Sequence, residues 1–203
     1  IARLDEIGLL KVGPDSAGSD PGPACYGLGG EAPTVTDANF ALGLLAPASF
    51  AGGTIPLDMA AGEAALDRLA AAAGLSRQEI AAGVRDLVNE TMASAARVHI
   101  AERGKDPRRY SLLATGGGGP LHGAEVARML GLKRLISPAS AGVASAIGLL
   151  IAPARVDRVA TVATALDRVD WAGFEATFRS LTEDARRVIA ATGLDPATAV
   201  VER

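Results

Sequence analysis

The sequence predicts an α/β protein, rich in helix and carrying a small mixed sheet. Three observations lead there. Helical periodicity runs over 58–74 and again over 76–104, a strand, turn, helix and strand follow over 111–137, and the opening stretch 1–56 is loop-rich with little periodicity. The expected organisation is one partial domain over 1–203, in which 1–56 carries a motif dense in Asp, Gly, Pro and Cys and 57–203 forms an α/β lobe.

Within 1–56, turn-forming residues dominate, and one short helix is expected over 37–45. Asp58 then caps a helix that ends at Gly74, because a short acceptor side chain suits the N-cap and glycine suits the residue after the last turn. Ser76 opens a longer helix, with Glu79 three residues later completing a capping box. Ile80, Val84, Leu87, Val88, Thr91, Ala95 and Val98 share one face until Gly104 ends the run, about seven turns at 3.6 residues each. A buried strand over 111–115, a glycine turn, a helix from Pro120 to Leu130 and a strand over 134–137 then make a β-α-β unit. Ligands of such units bind outside the carboxyl ends of the strands. A second turn of small residues, 140–145, precedes the apolar run 147–152, which stops at Pro153. A strand is expected over 156–163. Asp170 caps a last helix whose stripe of Phe174, Phe178, Leu181, Ala185, Val188 and Ile189 suits it to covering a sheet, with Val169 and Phe174 as a hydrophobic staple.

Composition narrows the function classes. Hydrophobic residues make up 49% of the chain, enough for a core, and the net charge of −3 is spread without a basic stripe or polybasic segment. No nucleic-acid or membrane partner is expected, and aromatics at 3% leave no stacking platform for single strands. Cys25 is the only cysteine and no apolar run is long enough to span a bilayer, so the expected setting is cytoplasmic. The sequence opens at Ile1 and closes on a strand-like segment, 199–203, and so reads as a piece of a longer protein.

The most informative stretch is Leu112-Leu113-Ala114-Thr115-Gly116-Gly117-Gly118-Gly119-Pro120-Leu121-His122-Gly123. Residues without Cβ let amides approach a ligand closely, Pro120 suits a first helical turn, and a helix start favours an anion. A nucleotide pocket and a turn that merely packs well both fit this pattern. A Walker loop does not, because no lysine lies between Lys105 and Lys133, and no register of Gly116 to Gly123 gives the dinucleotide fingerprint.

A second dense motif, Val12-Gly13-Pro14-Asp15-Ser16-Ala17-Gly18-Ser19-Asp20-Pro21-Gly22-Pro23-Ala24-Cys25-Tyr26-Gly27, is followed by Pro33-Thr34-Val35-Thr36-Asp37-Ala38-Asn39. With the glycine run, these stretches resemble the hydantoinase/oxoprolinase family in its hydantoinase A branch, in order and over nearly the whole chain. The resemblance implies ATP, with Mg²⁺, bound between the lobes of an actin-like, sugar-kinase-like (ribonuclease-H-like) ATPase fold. It also implies phosphoryl activation of the carbonyl of a small cyclic amide and a hydantoinase B-type partner subunit or domain. The family's first phosphate loop, Asp-x-Gly-Gly-Thr, is absent here, so the piece alone is expected to be inactive.

By the same resemblance, Gly116, Gly117, Gly118 and Gly119 match the glycine turn of the second lobe, where backbone approaches the nucleotide. Asp20 and Asp37 fall in matching loops as metal- or substrate-facing carboxylates, and Asp37 also reads as the N-cap of its short helix. Cys25 is open to three readings: a nucleophile, a ligand of an additional divalent metal together with Asp20 and His122, or a buried structural thiol. Beyond the hydrolase, the nucleotide-binding subunit of a ketone carboxylase and a non-catalytic docking module stay open.

Overall fold

The computed structural model describes residues 1–202, and packing divides it into two units, Ile1–Ser145 and a second that begins at Ala146. The change of composition at 56 is therefore not a packing boundary, because the loop-rich opening is folded into the first unit. Strands β1 (Ala2–Leu4) and β2 (Leu10–Val12) pair antiparallel, with Ala2 opposite Val12. This hairpin was not expected from the sequence, since three-residue strands are too short for alternation to register. The carboxylate of Asp5 holds its turn by accepting from the amides of Leu9 at 2.8 Å and Ile7 at 3.1 Å, which lowers the pKa of that carboxyl.

Helix α1 (Val35–Ala41) starts and ends earlier than expected, because Thr34 is its cap and Gly43, at φ 70°, turns the chain away. Helices α2 (Met59–Ala73) and α3 (Arg77–Ala101) match their signals: Asp58 and Gly74 cap α2, and Ser76 with Glu79 forms the capping box of α3. The Arg77 guanidinium ties the two together, reaching Asp67 at 2.8 and 2.6 Å and Glu63 at 2.7 Å. Leu66, Ile80 and Val84 are fully buried at the centre of the first core, with Ala38 from α1 and with Leu4, Leu10 and Val12 of the hairpin packed on them.

The buried face of α3 departs from the expected stripe in its second half. Val98 is 54% exposed there, while Asn89 and Ala93 are buried. The neighbour decides this, not hydropathy. Helix α4 (Gly119–Met129) packs Val126 and Leu130 against Ala93, rotating the covered face away from Thr91, Ala95 and Val98. Strands β3 (Leu112–Leu113) and β4 (Leu135–Ile136) pair parallel on either side of α4, which is the expected β-α-β unit. Where one small mixed sheet was expected, the described residues form two separate two-stranded sheets, one antiparallel and one parallel.

The apolar run 147–152 lies mostly in helix α5 (Ala144–Ile151), whose Leu150 is 85% exposed. In the second unit, α6 (Trp171–Ala191) is capped by Asp170, whose carboxylate accepts from the Ala172 amide at 3.1 Å. No sheet lies under it: among the described residues, 156–163 and 199–202 are not strand, because a ladder needs a partner and none is supplied, and Arg203 lies outside the described residues. The apolar stripe of α6 is accordingly half open, with Phe174 at 40% exposure and Ile189 buried. No described helix is long and apolar enough to cross a membrane. Core and uncovered leucines should therefore differ in their response to truncation. Leu66→Ala is expected to lower the unfolding free energy by about 2–5 kcal/mol in a urea titration, and Leu150→Ala to change it by no more than about 0.5 kcal/mol.

Candidate functional site

Two of the sequence motifs become well-defined places in the first unit, and they are different in kind. The first is the glycine turn. The parallel ladder continues past the short strands, with the Ala114 amide donating to the Ile136 carbonyl at 2.9 Å, and it delivers the chain to Gly116 at φ 80°. The Gly116 amide donates to the Ala141 carbonyl at 2.8 Å, which draws the second small-residue turn against the first. That second turn holds Ser140 at φ 61°, an unusual conformation for a residue with a side chain. Gly118 is the N-cap of α4 and supplies no side-chain cap, Pro120 sits in the first turn, and no acidic residue follows there. Among the described residues, the amides of Gly117 and Gly118 have no acceptor. A Cβ added at either would meet nothing within 4 Å, so both amides border open space. Such a site, two free amides at the positive end of a helix dipole, suits an anion or a close approach of ligand to backbone. Gly119 and Gly123, by contrast, lie against the sheet: an added Cβ at Gly123 would come 3.0 Å from that of Ala114.

His122 is the fourth residue of α4 and faces α3. Its Nδ1 lies 2.7 Å from Oδ1 of Asn89, so Nδ1 carries the proton and donates, and Nε2 keeps its lone pair. Burial, and after it the charge of Arg85, pushes the imidazole pKa down and favours the neutral ring. Neither Asn89 nor Arg85 was singled out from the sequence. The available signal was an asparagine and an arginine four residues apart in a helix otherwise read by its apolar face.

The second place is built around Asp37 and Cys25. Asp37 is 2% exposed and its carboxylate accepts from the Cys25 amide at 2.9 Å, the Thr34 amide at 2.9 Å and the Thr34 hydroxyl at 2.7 Å. Thr34 is the N-cap of α1 and Asp37 the third residue of a capping box, which corrects the expectation of Asp37 as the cap itself. Its oxygens face the protein's own donors, and Gly62 of α2 approaches so closely that an added Cβ would lie 2.9 Å from Cys25 Cβ and 3.0 Å from Asp37 Oδ1. Cys25 is buried, and that burial, with the adjacent Asp37 carboxylate, holds its thiol pKa far above the ordinary range. A thiol kept protonated this way is no nucleophile at neutral pH.

Asp20 is exposed in its loop, Cys25 belongs to Asp37, and His122 belongs to Asn89. The three expected metal ligands are thus not assembled. No group of three or more His, Cys, Asp or Glu able to hold a metal ion occurs among the described residues. The arrangement around Asp37 instead ties the loop at Cys25 to α1 and α2, and the Cys25 carbonyl accepts from the Asp58 amide at 2.8 Å. Gly62→Ala should cost about 1–3 kcal/mol of stability in denaturant unfolding, because neither neighbour is the free end of a flexible side chain. Cys25 in the folded chain should resist a thiol reagent that titrates it fully once denatured.

The comparisons with known proteins agree on one family. The hydantoinase/oxoprolinase family model matches residues 1–158. The caprolactamase alpha subunit of Pseudomonas jessenii is 43% identical over 168 residues, which cover 82% of this chain and 24% of that protein. Among solved structures, the ATP-dependent caprolactamase from Pseudomonas jessenii has 39% identity and a TM-score of 0.69, covering 94% of this chain and 28% of that one. A nucleotide-free acetone carboxylase has 30% identity and a TM-score of 0.74, covering 96% and 29%. The chain therefore spans between 24% and 29% of the length of these relatives. With the family model covering well over half of it, the chain belongs to the hydantoinase/oxoprolinase family.

Proposed function

We propose that this chain supplies one wall of the nucleotide site of an ATP-dependent enzyme that acts on a small cyclic amide, within an actin-like, ribonuclease-H-like ATPase fold. The observation that carries the reading is the pair of free amides at Gly117 and Gly118, facing open space at an uncapped helix start. Family membership and the ATP dependence of the caprolactamase relative support it. ATP, when bound, supplies a phosphoryl group for the carbonyl oxygen of the substrate, and Mg²⁺ neutralises its charge.

The contribution of this chain is positional and electrostatic. The Gly116 amide, anchored on Ala141, fixes the angle at which the turn leaves the sheet. Gly117 and Gly118 then present main-chain donors without side chains in the way, and the first turn of α4 adds the positive end of its dipole. The turn is therefore where the residues fit the cofactor. A hydantoinase B-type subunit or domain would bring the chemistry of the amide itself, and a cytoplasmic setting goes with the reading.

A second reading, the nucleotide-binding subunit of a ketone carboxylase, is favoured by the higher TM-score to acetone carboxylase. It shares the same phosphoryl-activation step and the same use of the glycine turn. The test is to measure ATP affinity by calorimetry, with Mg²⁺, in the full-length protein carrying Gly117→Ala and Gly118→Ala together. Because neither methyl meets protein, the unfolding midpoint should stay put. Affinity should fall about tenfold or more, because the added methyl groups fill the space through which a phosphate reaches the amides, which alanine keeps. Unchanged affinity in the folded variant would remove the glycine turn from the site.

A further inference from the structure

We propose that Arg85, Asn89 and His122 form a binding site for an anionic group, a phosphate or a carboxylate, at the end of α4 that carries the glycine turn. The inference deepens the nucleotide reading and rests on it only for the molecule to which the anion belongs.

Asn89 has no exposed surface and an amide with two unequal ends. Its oxygen is engaged by His122 Nδ1 at 2.7 Å, while its nitrogen is buried without any partner. Because the oxygen is pinned, the side chain can offer only donors to whatever lies beside it. A buried donor with no acceptor has lost its water without gaining a partner, so an acceptor from outside the chain would be favoured there.

Arg85 lies one turn earlier on the same face of α3, and its Nε is likewise buried and unpartnered. The acidic side chain in its field on α4, Glu125, is taken up by Arg128, whose Nε lies 3.1 and 3.2 Å from the two carboxylate oxygens. Asp86, on the outer side of α3, also acts on Arg128. Arg85 itself makes no ion pair among the described residues: Glu125 feels its charge but is hydrogen-bonded to Arg128.

The third side of the place is the start of α4, where Gly118 gives no side-chain cap and no carboxylate occupies the first turn. His122, in the first turn of α4, holds Asn89 near the positive end of that helix, and Arg85 lies one turn before Asn89 on α3. A guanidinium and an amide N–H have no lone pairs for a metal ion, whereas both match the oxygens of a phosphate or carboxylate. His122 acts here as a positioning residue: by fixing the oxygen of Asn89 it decides which end of the amide the anion meets.

The test is calorimetry on the full-length protein with three probes, ATP, adenosine and inorganic phosphate, in wild type, Arg85→Met and Asn89→Asp. Both variants should keep the wild-type circular dichroism and adenosine affinity, and should lose about tenfold or more in affinity for the anion, as expected for a charge-assisted hydrogen bond. If ATP weakens while adenosine does not, the anion is the phosphate of the nucleotide. If inorganic phosphate weakens while ATP does not, it is a separate anion, and the site still stands. Should Arg85→Met fail to fold, Arg85→Lys keeps the charge, removes the Nε donor and should show a smaller loss of the same sign. Wild-type affinity for ATP and phosphate in every folded variant would overturn the proposal and leave the orphan donors to water. A wild type that binds phosphate but not ATP would instead overturn the nucleotide reading and keep the anion site.

Discussion

Helix α3 is 25 residues long, and at about 1.5 Å per residue no single neighbour can cover it. The first unit is arranged around that constraint. Over its first half, α1, α2 and the β1–β2 hairpin bury Ile80, Ala81 and Val84; over its second half, α4 buries Ala93. The two covered faces are rotated relative to one another, and Asn89 stands where one set of neighbours gives way to the other. A polar residue is tolerated at that point because α4 brings His122 to it, so the same hydrogen bond that closes the seam also fixes the start of α4 against α3. The position of the glycine turn follows from this, since the turn is the continuation of α4 beyond its first residue.

The buried polar groups of the chain show two degrees of completion. Asp37 receives three donors from Thr34 and the Cys25 loop, enough to offset the loss of water around a carboxylate, and the result is a closed knot of α1, α2 and a loop. Asn89 receives one partner for its oxygen and none for its nitrogen, beside an arginine in the same condition. A closed knot is what a fold needs for its own stability. A half-closed one, with its open half made of donors, is worth something only when a further group arrives. The two places also differ in setting, since Asp37 lies against the close-packed backbone of Gly62 and Asn89 is bonded to the first turn of α4, which follows a turn that borders open space.

Much of this was legible in the sequence where the signal is local. The caps at Asp58, Ser76 and Asp170 and the stop at Gly74 are decided by side-chain acceptors and a left-handed glycine within a few residues, and the structure has each in place. The glycine turn and its parallel ladder were legible for the same reason. What failed depended on distant neighbours. The face of α3 turned because α4 lies beside it, residues 156–163 did not become a strand because no ladder partner is among the described residues, and Cys25 was claimed by Asp37, twelve residues away, rather than by Asp20 and His122. The pairing of Asn89 with His122, thirty-three residues apart, has no local signature at all.

The glycines themselves divide into those pressed by neighbours and those that border open space, which the sequence run alone could not show. At Gly62 and Gly123 a methyl group would collide with Cys25, Asp37, Ala114 or Leu135, so those residues are glycine because helix must touch loop or sheet there. At Gly117 and Gly118 a methyl group would touch nothing, so packing gives no reason for their composition. Nor does backbone conformation at Gly118, whose φ of −90° and ψ of −21° any residue adopts. Helix propensity argues against glycine at such places as well, since each one adds conformational entropy to the unfolded chain. Unpaired amides at the positive end of a helix, with no side chain before them among the described residues, leave room for a group from outside.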